Sequence, residues 1–321
     1  MASAFVTGGS GFIGGRLIER LRSEGHEVRA LARSQRAEEK IAFRGAEPVR
    51  GEITDRDAVR RGAEGCELAF HLAARADDWG RWSEFERDNV EGTRNALEGC
   101  AAAGVRRFVH TGTEASLMAG SPLVQVDETA PLRPDSKAPY PATKAKAERL
   151  VLDSAREGLE TLSLRPRFVW GKGDTTLLPN ILQLVESGRF AWIGGGRQLT
   201  DTAHVENTVE GLVLAAEKGR SGEAYFVTDG EPVVFREFVS ELIRTQRVEP
   251  PSRSVPAGVA AALMRAGEAL WRLPLPGRPP ITRFAFWASS QECTIDISKA
   301  RRELGYAPVR TREEGLTGMR V

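Results

Sequence analysis

Cysteine is scarce in this chain of 321 residues: Cys66, Cys100 and Cys293 stand far apart. Three thiols with no Cys-x-x-Cys pair build neither a disulfide framework nor a thiolate zinc site. The four histidines, His26, His71, His110 and His204, show no metal-ligand spacing, so no metal centre is expected. Long hydrophobic runs are missing as well. The nearest candidate, Val255 to Leu273, is broken by Arg265, Glu268 and Arg272, short of the roughly 18 apolar residues that span a bilayer. Residues Met1 to Val6 lack the basic start and apolar stretch of a secretory signal. Charge of one sign is also lacking. With 45 basic and 44 acidic residues the net charge is +1, which gives no electrostatic case for a nucleic-acid partner. A reducing, cytoplasmic setting is the expectation.

What the chain does have is ordinary globular composition, 41% hydrophobic and 28% charged, at a length suited to a large α/β domain with a smaller lobe. Short apolar runs alternate with amphipathic ones through the first half. Ala4–Val6, Glu27–Leu31, Glu67–His71, Arg107–His110 and Thr161–Leu164 read as strands. Gly11–Arg22, Asn89–Ala103 and Tyr140–Glu157 read as helices. This alternation predicts a Rossmann-type, doubly wound parallel sheet. Regularity weakens after Arg165-Pro166. The expected division is a dinucleotide-binding domain over 1–165 and a smaller substrate lobe over 166–321, parts of which return to the first domain.

Gly8-Gly9-Ser10-Gly11-Phe12-Ile13-Gly14 follows the first strand and opens the first helix. Glycine at 8, 11 and 14 permits a tight turn and close approach of a pyrophosphate to the helix N-terminus. Nicotinamide-dinucleotide folds that prefer NAD carry an acidic residue at the end of the second strand. Here Arg33 stands there with Arg36 one turn on, which suits a 2′-phosphate and favours NADP(H) over NAD(H). A solvated surface Arg33 is the plainer alternative.

Only three tyrosines and seven lysines occur, yet Tyr140 and Lys144 stand four apart at a helix start. That spacing puts both on one helical face. A cation beside a phenol favours the phenolate, so Lys144 is expected to lower the pKa of Tyr140. A packed tyrosine beside a surface lysine is the structural alternative.

Together these motifs resemble the extended short-chain dehydrogenase/reductase superfamily, to which epimerases and dehydratases of nucleotide sugars also belong. Further matching segments are Glu52-Ile53, Leu72-Ala73-Ala74, Asn89 within Asn-x-x-Gly-Thr, Thr111-Gly112-Thr113, and Pro166 to Val169 within Arg-Pro-x-x-Val-x-Gly. The resemblance implies hydride transfer between nicotinamide and a ketone or secondary alcohol. It implies Tyr140 as proton donor or acceptor, Lys144 as ribose ligand, and Thr113 as hydrogen-bond partner of the substrate oxygen. The loop residues 8–14, Arg33, Arg36, Glu52, Ile53, Leu72–Ala74, Asn89, Thr111, Pro166, Phe168 and Val169 are then expected at the cofactor.

Thr200 replaces the arginine with which sugar-nucleotide enzymes of this superfamily grip pyrophosphate, and Ala115 replaces the carboxylate of their dehydratases. The stretches Ala76–Trp82, Leu164–Asp174, His204–Asn207 and Pro279–Phe284 are similar to the 3β-hydroxysteroid dehydrogenase branch and its bacterial reductases of 2-alkyl-3-ketoalkanoic acids, and Lys299–Tyr306 resembles the usual close of extended members of the superfamily. A small hydrophobic ketone or alcohol is therefore the expected substrate, with Trp79, Trp82, Glu114, Leu177 and His204 as candidate contacts. A nucleotide-sugar epimerase with tightly held NAD is the alternative enzyme, and a non-catalytic dinucleotide sensor the alternative outside enzymes. The apolar run from Val255 reads equally as a lid, as lobe core or as a peripheral membrane contact. The helices near Asn89–Ala103 and after Tyr140 are candidate surfaces for a homodimer.

Overall fold

A computed structural model describes residues 2–156, 158–271 and 277–321. The first part alternates as the apolar pattern requires: β1 (Ser3–Thr7), α1 (Phe12–Ser23), β2 (Glu27–Ala32), α2 (Gln35–Phe43), β3 (Glu47–Arg50), α3 (Arg56–Ala63) and β4 (Leu68–His71). A short α4 (Trp82–Phe85) runs through a π-helical turn, Glu86–Glu91, into α5 (Gly92–Ala102). Then come β5 (Arg107–Thr111), a 3₁₀ turn over Glu114–Leu117, β6 (Leu123–Val126), α6 (Pro139–Leu152) and β7 (Glu160–Pro166). The helix expected from Tyr140 thus ends at Leu152, and the expected endpoint Glu157 lies outside the described residues.

Beyond the expected boundary the strands shorten. β8 (Val169–Trp170), α7 (Leu177–Glu186), β9 (Trp192–Ile193), β10 (Leu199–Thr200) and β11 (Ala203–His204) precede α8 (Val205–Lys218) and β12 (Ala224–Val227). They are followed by β13 (Val233–Val234), α9 (Phe235–Arg244), β14 (Ser254–Val255), α10 (Ala257–Leu270), α11 (Arg283–Ser290) and β15 (Cys293–Ile295).

Seven strands form the central sheet in the order β12-β7-β5-β4-β1-β2-β3, all neighbours parallel. Strands buried on both faces need apolar residues on both. In β1, Ala4 and Val6 enter the core beneath α1, α2 and α8, while Phe5 enters the core beneath α3 and α5. The strand order reverses between β1 and β4, which opens a crevice at the carboxyl ends of those strands. β12 and α8 return from the second half to this sheet, β12 pairing with β7.

A third core gathers Trp170, Trp192, Phe238, Leu242 and Ile243 from the later elements. The apolar run from Val255 becomes α10, with Arg272 and Leu273 outside the described residues. Its Ala260, Met264 and Gly267 are buried, but Val259, Leu263 and Leu270 are about half exposed. Core packing therefore accounts for one face of α10 only.

Candidate active site

The glycine loop forms the floor of the crevice. Gly8 adopts φ +74°, and a Cβ there would stand 2.8 Å from the backbone of Leu72 and Ala73. A Cβ on Gly14 would stand 2.3 Å from the Gly8 carbonyl oxygen. Only glycine fits such an approach, so the trough is lined by backbone and headed by the N-terminus of α1, which suits a pyrophosphate. The expected segments line the same edge: Leu72–Ala74 after β4, Thr111 ending β5, and Glu52-Ile53 after β3.

Arg33 and Arg36 lie exposed just past β2, and neither makes an ion pair or side-chain hydrogen bond among the described residues. The nearby acids of α2 are engaged elsewhere, Glu38 with Arg50 and Glu39 with Gln35. The end of β2 therefore carries exposed positive charge with no partner among the described residues.

Asn89 sits in the π-helical turn, where a widened turn swings it inward. Its amide oxygen accepts from the Arg75 N–H at 2.7 Å, and its nitrogen donates to the Thr143 hydroxyl at 3.0 Å. It ties this turn to α6 through side-chain bonds that are already filled.

Pro139 in the first turn of α6 needs no N–H donor there, and Tyr140 and Lys144 share the helix face turned inward. Lys144 is buried. Its ammonium donates to the Thr111 carbonyl at 2.7 Å and lies 3.1 Å from His110 Nε2. Burial pushes its pKa down to about 8, against the pull of Glu148. Burial and the Lys144 charge hold His110 well below its ordinary value, so its ring is neutral.

Tyr140 departs from the expectation. Its pKa is raised, first by burial and then by the Glu114 carboxylate, while a hydrogen bond with Thr113 acts the other way. Lys144 meanwhile gives N–H groups to the Thr111 carbonyl and to His110 Nε2. The phenol is thereby held in its proton-bearing form.

Thr113 gives its proton to Glu114 Oε2 at 2.8 Å and accepts from the Ala115 N–H at 3.2 Å. Glu114 is no free substrate contact, since its other oxygen takes Arg167 Nη1 at 2.6 Å with both side chains buried. Arg167 also donates to the Thr200 hydroxyl at 2.9 Å and lies 4.2 Å over the Phe168 ring. Phe168 itself holds φ at +39°, a sparsely populated region for an aromatic residue.

The remaining candidates divide. Leu177 joins the third core, and His204 caps α8 by accepting the Glu206 N–H while packing edge-on against Trp170 at 4.9 Å. Trp79 is half-buried, and Trp82 is exposed at the start of α4. Three residues outside the expected site do reach it. They are Arg167, His110, and Phe284 of α11, whose ring centroid lies 5.2 Å from that of Tyr140. Their signal lay in position alone: Arg167 between Pro166 and Phe168, His110 one residue before Thr111, and Phe284 at the end of a recognised stretch.

Comparison with known proteins agrees with this geometry. The family described as 3-beta hydroxysteroid dehydrogenase/isomerase matches residues 5–257. A 4-hydroxy-2-methyl-3-oxo-4-farnesyl-3,4-dihydroquinoline-1-oxide ketoreductase from Stigmatella aurantiaca is 44% identical, over 98% of this chain and 95% of its own. A 2-alkyl-3-oxoalkanoate reductase from Stenotrophomonas maltophilia is 35% identical, over 98% of each. Among solved structures, MoeE5 in complex with UDP-glucose and NAD superposes with a TM-score of 0.75 at 25% identity, over 99% of this chain and 97% of its own. The extended short-chain dehydrogenase/reductase fold, the glycine-lined crevice and these relatives agree, and the chain is an oxidoreductase belonging to the 3-beta hydroxysteroid dehydrogenase/isomerase family.

Proposed function

We propose that this protein reduces a ketone on an apolar substrate, the keto carbon standing beside an alkyl-bearing carbon, with NADP(H) as hydride carrier. The observation that carries the reading is the packing of Phe284 against Tyr140, which puts an apolar wall beside the reacting phenol. Both reductase relatives have names describing a 3-oxo group next to an alkylated position 2, and the first adds a farnesyl group. Thr200, where a pyrophosphate-gripping arginine would stand in a sugar-nucleotide enzyme, is buried against Arg167 instead.

In this reading residues 1–165 hold the nucleotide and 166–321 the substrate, with α8 and β12 returning to the sheet. Bound nicotinamide supplies or accepts the hydride. The chain does the rest. The loop over Gly8–Gly14 holds the pyrophosphate, and Arg33 with Arg36 takes the 2′-phosphate. Tyr140 Oη gives its proton to the ketone oxygen, and Lys144 orients the ribose. Loss of the Tyr140 hydroxyl removes the acid, worth about 10²- to 10⁴-fold in rate.

The test is nicotinamide absorbance with NADPH and NADH against 2-alkyl-3-ketoacids, 3-ketosteroids and nucleotide sugars, with Tyr140→Phe beside the unaltered protein. NADPH oxidation by an apolar ketone, lost in the variant, is the expected result. Silence on every ketone, with NAD released on denaturation and interconversion of a nucleotide sugar, would make the protein an epimerase.

A further inference from the structure

A histidine stands where a strand covered on both faces would ordinarily carry an apolar side chain. His110, one residue before the end of β5, is buried and pairs in register with His71 of β4. The two rings stack, with centroids 5.4 Å apart and planes inclined by 28°.

His71 is pinned by its partners. The Thr93 hydroxyl gives its proton to the Asn89 carbonyl at 2.6 Å, so toward His71 Nε2, 3.0 Å away, it can only accept. Nε2 therefore carries the proton, and Nδ1 accepts from the Thr7 hydroxyl at 2.7 Å. Both ring nitrogens are satisfied, and the ring forms a fixed backing for His110.

His110 is satisfied on one side only. Lys144 Nζ stands 3.1 Å from its Nε2, and an ammonium can only donate. Nε2 is thus the acceptor, and the proton sits on Nδ1, which is buried with no partner among the described residues. An unpartnered buried N–H is unfavourable, and a leucine in the strand would avoid it. What the histidine contributes lies at Lys144. An ammonium has three N–H donors. The Thr111 carbonyl takes one at 2.7 Å and His110 a second, which fixes the direction of the third about the nitrogen. The neighbouring Glu148 pairs with Arg165 at 2.6 Å, and Lys144 forms no ion pair among the described residues.

We infer that His110 is a positioning residue for the nucleotide: its Nε2, with the Thr111 carbonyl, holds the Lys144 ammonium so that the remaining N–H is given to the nicotinamide ribose. His71, held by Thr7 and Thr93, keeps the His110 ring in place. The inference rests on the assignment of Lys144 as the ribose ligand. Burial and the Lys144 charge both oppose protonation of His110, so its Nε2 stays an acceptor.

The experiment is a fluorescence titration of NADPH and of NADH, which reads affinity without turnover. His110→Leu removes the acceptor. His110→Gln carries an amide to the Nε2 position, whereas the amide of His110→Asn reaches only as far as Nδ1. The Leu and Asn variants should each raise Kd about tenfold, the worth of a hydrogen bond to a charged group. The rise should be equal for the two nucleotides, because both carry the same nicotinamide ribose, and Gln should restore most of the affinity. In a Lys144→Met background the His110 variants should cost nothing further. Thermal melts check folding, and if the Leu variant fails to fold, Asn against Gln carries the comparison. Equal binding by the folded Asn and Gln variants would overturn the proposal. So would a loss as large in the Lys144→Met background, since a histidine that only packs the sheet acts whether or not Lys144 is there. Lys144→Met that binds both nucleotides as the unaltered protein does would overturn the ribose assignment, and the positioning role with it. Loss there with the His110 variants unmoved would overturn the positioning role alone.

Discussion

The two halves of the molecule are built differently. Through β7 the strands run four to seven residues, and all but β6 lie in one parallel sheet whose carboxyl edge carries the candidate site residues. Beyond β7, β8 to β11 are two residues long, and side chains carry the architecture: Trp170 on Asp229, Arg167 on Glu114 and Thr200, Asn207 on Asp229. A parallel strand positions its end through backbone pairing, which tolerates many side chains. A site wall held by side-chain contacts changes with them. On the proposed function, the cofactor and the acid fall to the regular half and substrate choice to the irregular one.

That contrast can be broken by substitution, beginning with the largest effect. Arg33→Asp places a carboxylate where free positive charge now stands, and like-charge contact with a phosphate costs several kcal/mol. NADPH affinity should fall about 100-fold relative to NADH, equally for every ketone, as read by KM for each nucleotide. An unchanged ratio would mean that Arg33 is merely solvated.

A second prediction concerns Lys144, also in the regular half. Its pKa of about 8 lies below its ordinary value, so the unfolded chain binds that proton more readily than the folded one. The cost of burying the charged amine is present below about pH 8 and fades as pH rises toward the ordinary lysine range. Turnover should therefore fall above pH 8, about tenfold per unit at the steepest, as the ammonium is lost. The contribution of this group to melting temperature should move the opposite way. A parallel fall of both would assign the loss to unfolding.

The smallest effect belongs to the irregular half. Leu263 is 58% exposed on a stripe of α10 that includes Val259 and Leu270. Leu263→Ser should leave melting within about 0.5 kcal/mol, as exposed sites do. If the stripe meets the substrate, KM for an apolar ketone should rise about three- to tenfold, the worth of partly burying one leucine. The nucleotide KM should stay as it was. A change in the nucleotide KM instead would dissolve the distinction between the halves.

Much of the first half was legible in order of residues alone. The glycine loop, the arginine past β2 and the Tyr140–Lys144 spacing each act over a few neighbouring residues, so local geometry and glycine stereochemistry suffice to expect them. The resemblance then aligned more distant segments, such as Asn89 and Pro166–Val169, whose place at one sheet edge no local rule supplies.

Sequence by itself therefore determined the sheet, the glycine-lined crevice and the Tyr140–Lys144 spacing, because periodic burial and short motifs are read within one or two turns. Tertiary structure alone decided the electrostatics. Lys144, expected to draw the proton from Tyr140, donates to His110 and Thr111, while burial first and then the Glu114 carboxylate raise the Tyr140 pKa. A pKa depends on which charges meet in the desolvated interior, and chain order does not fix that meeting.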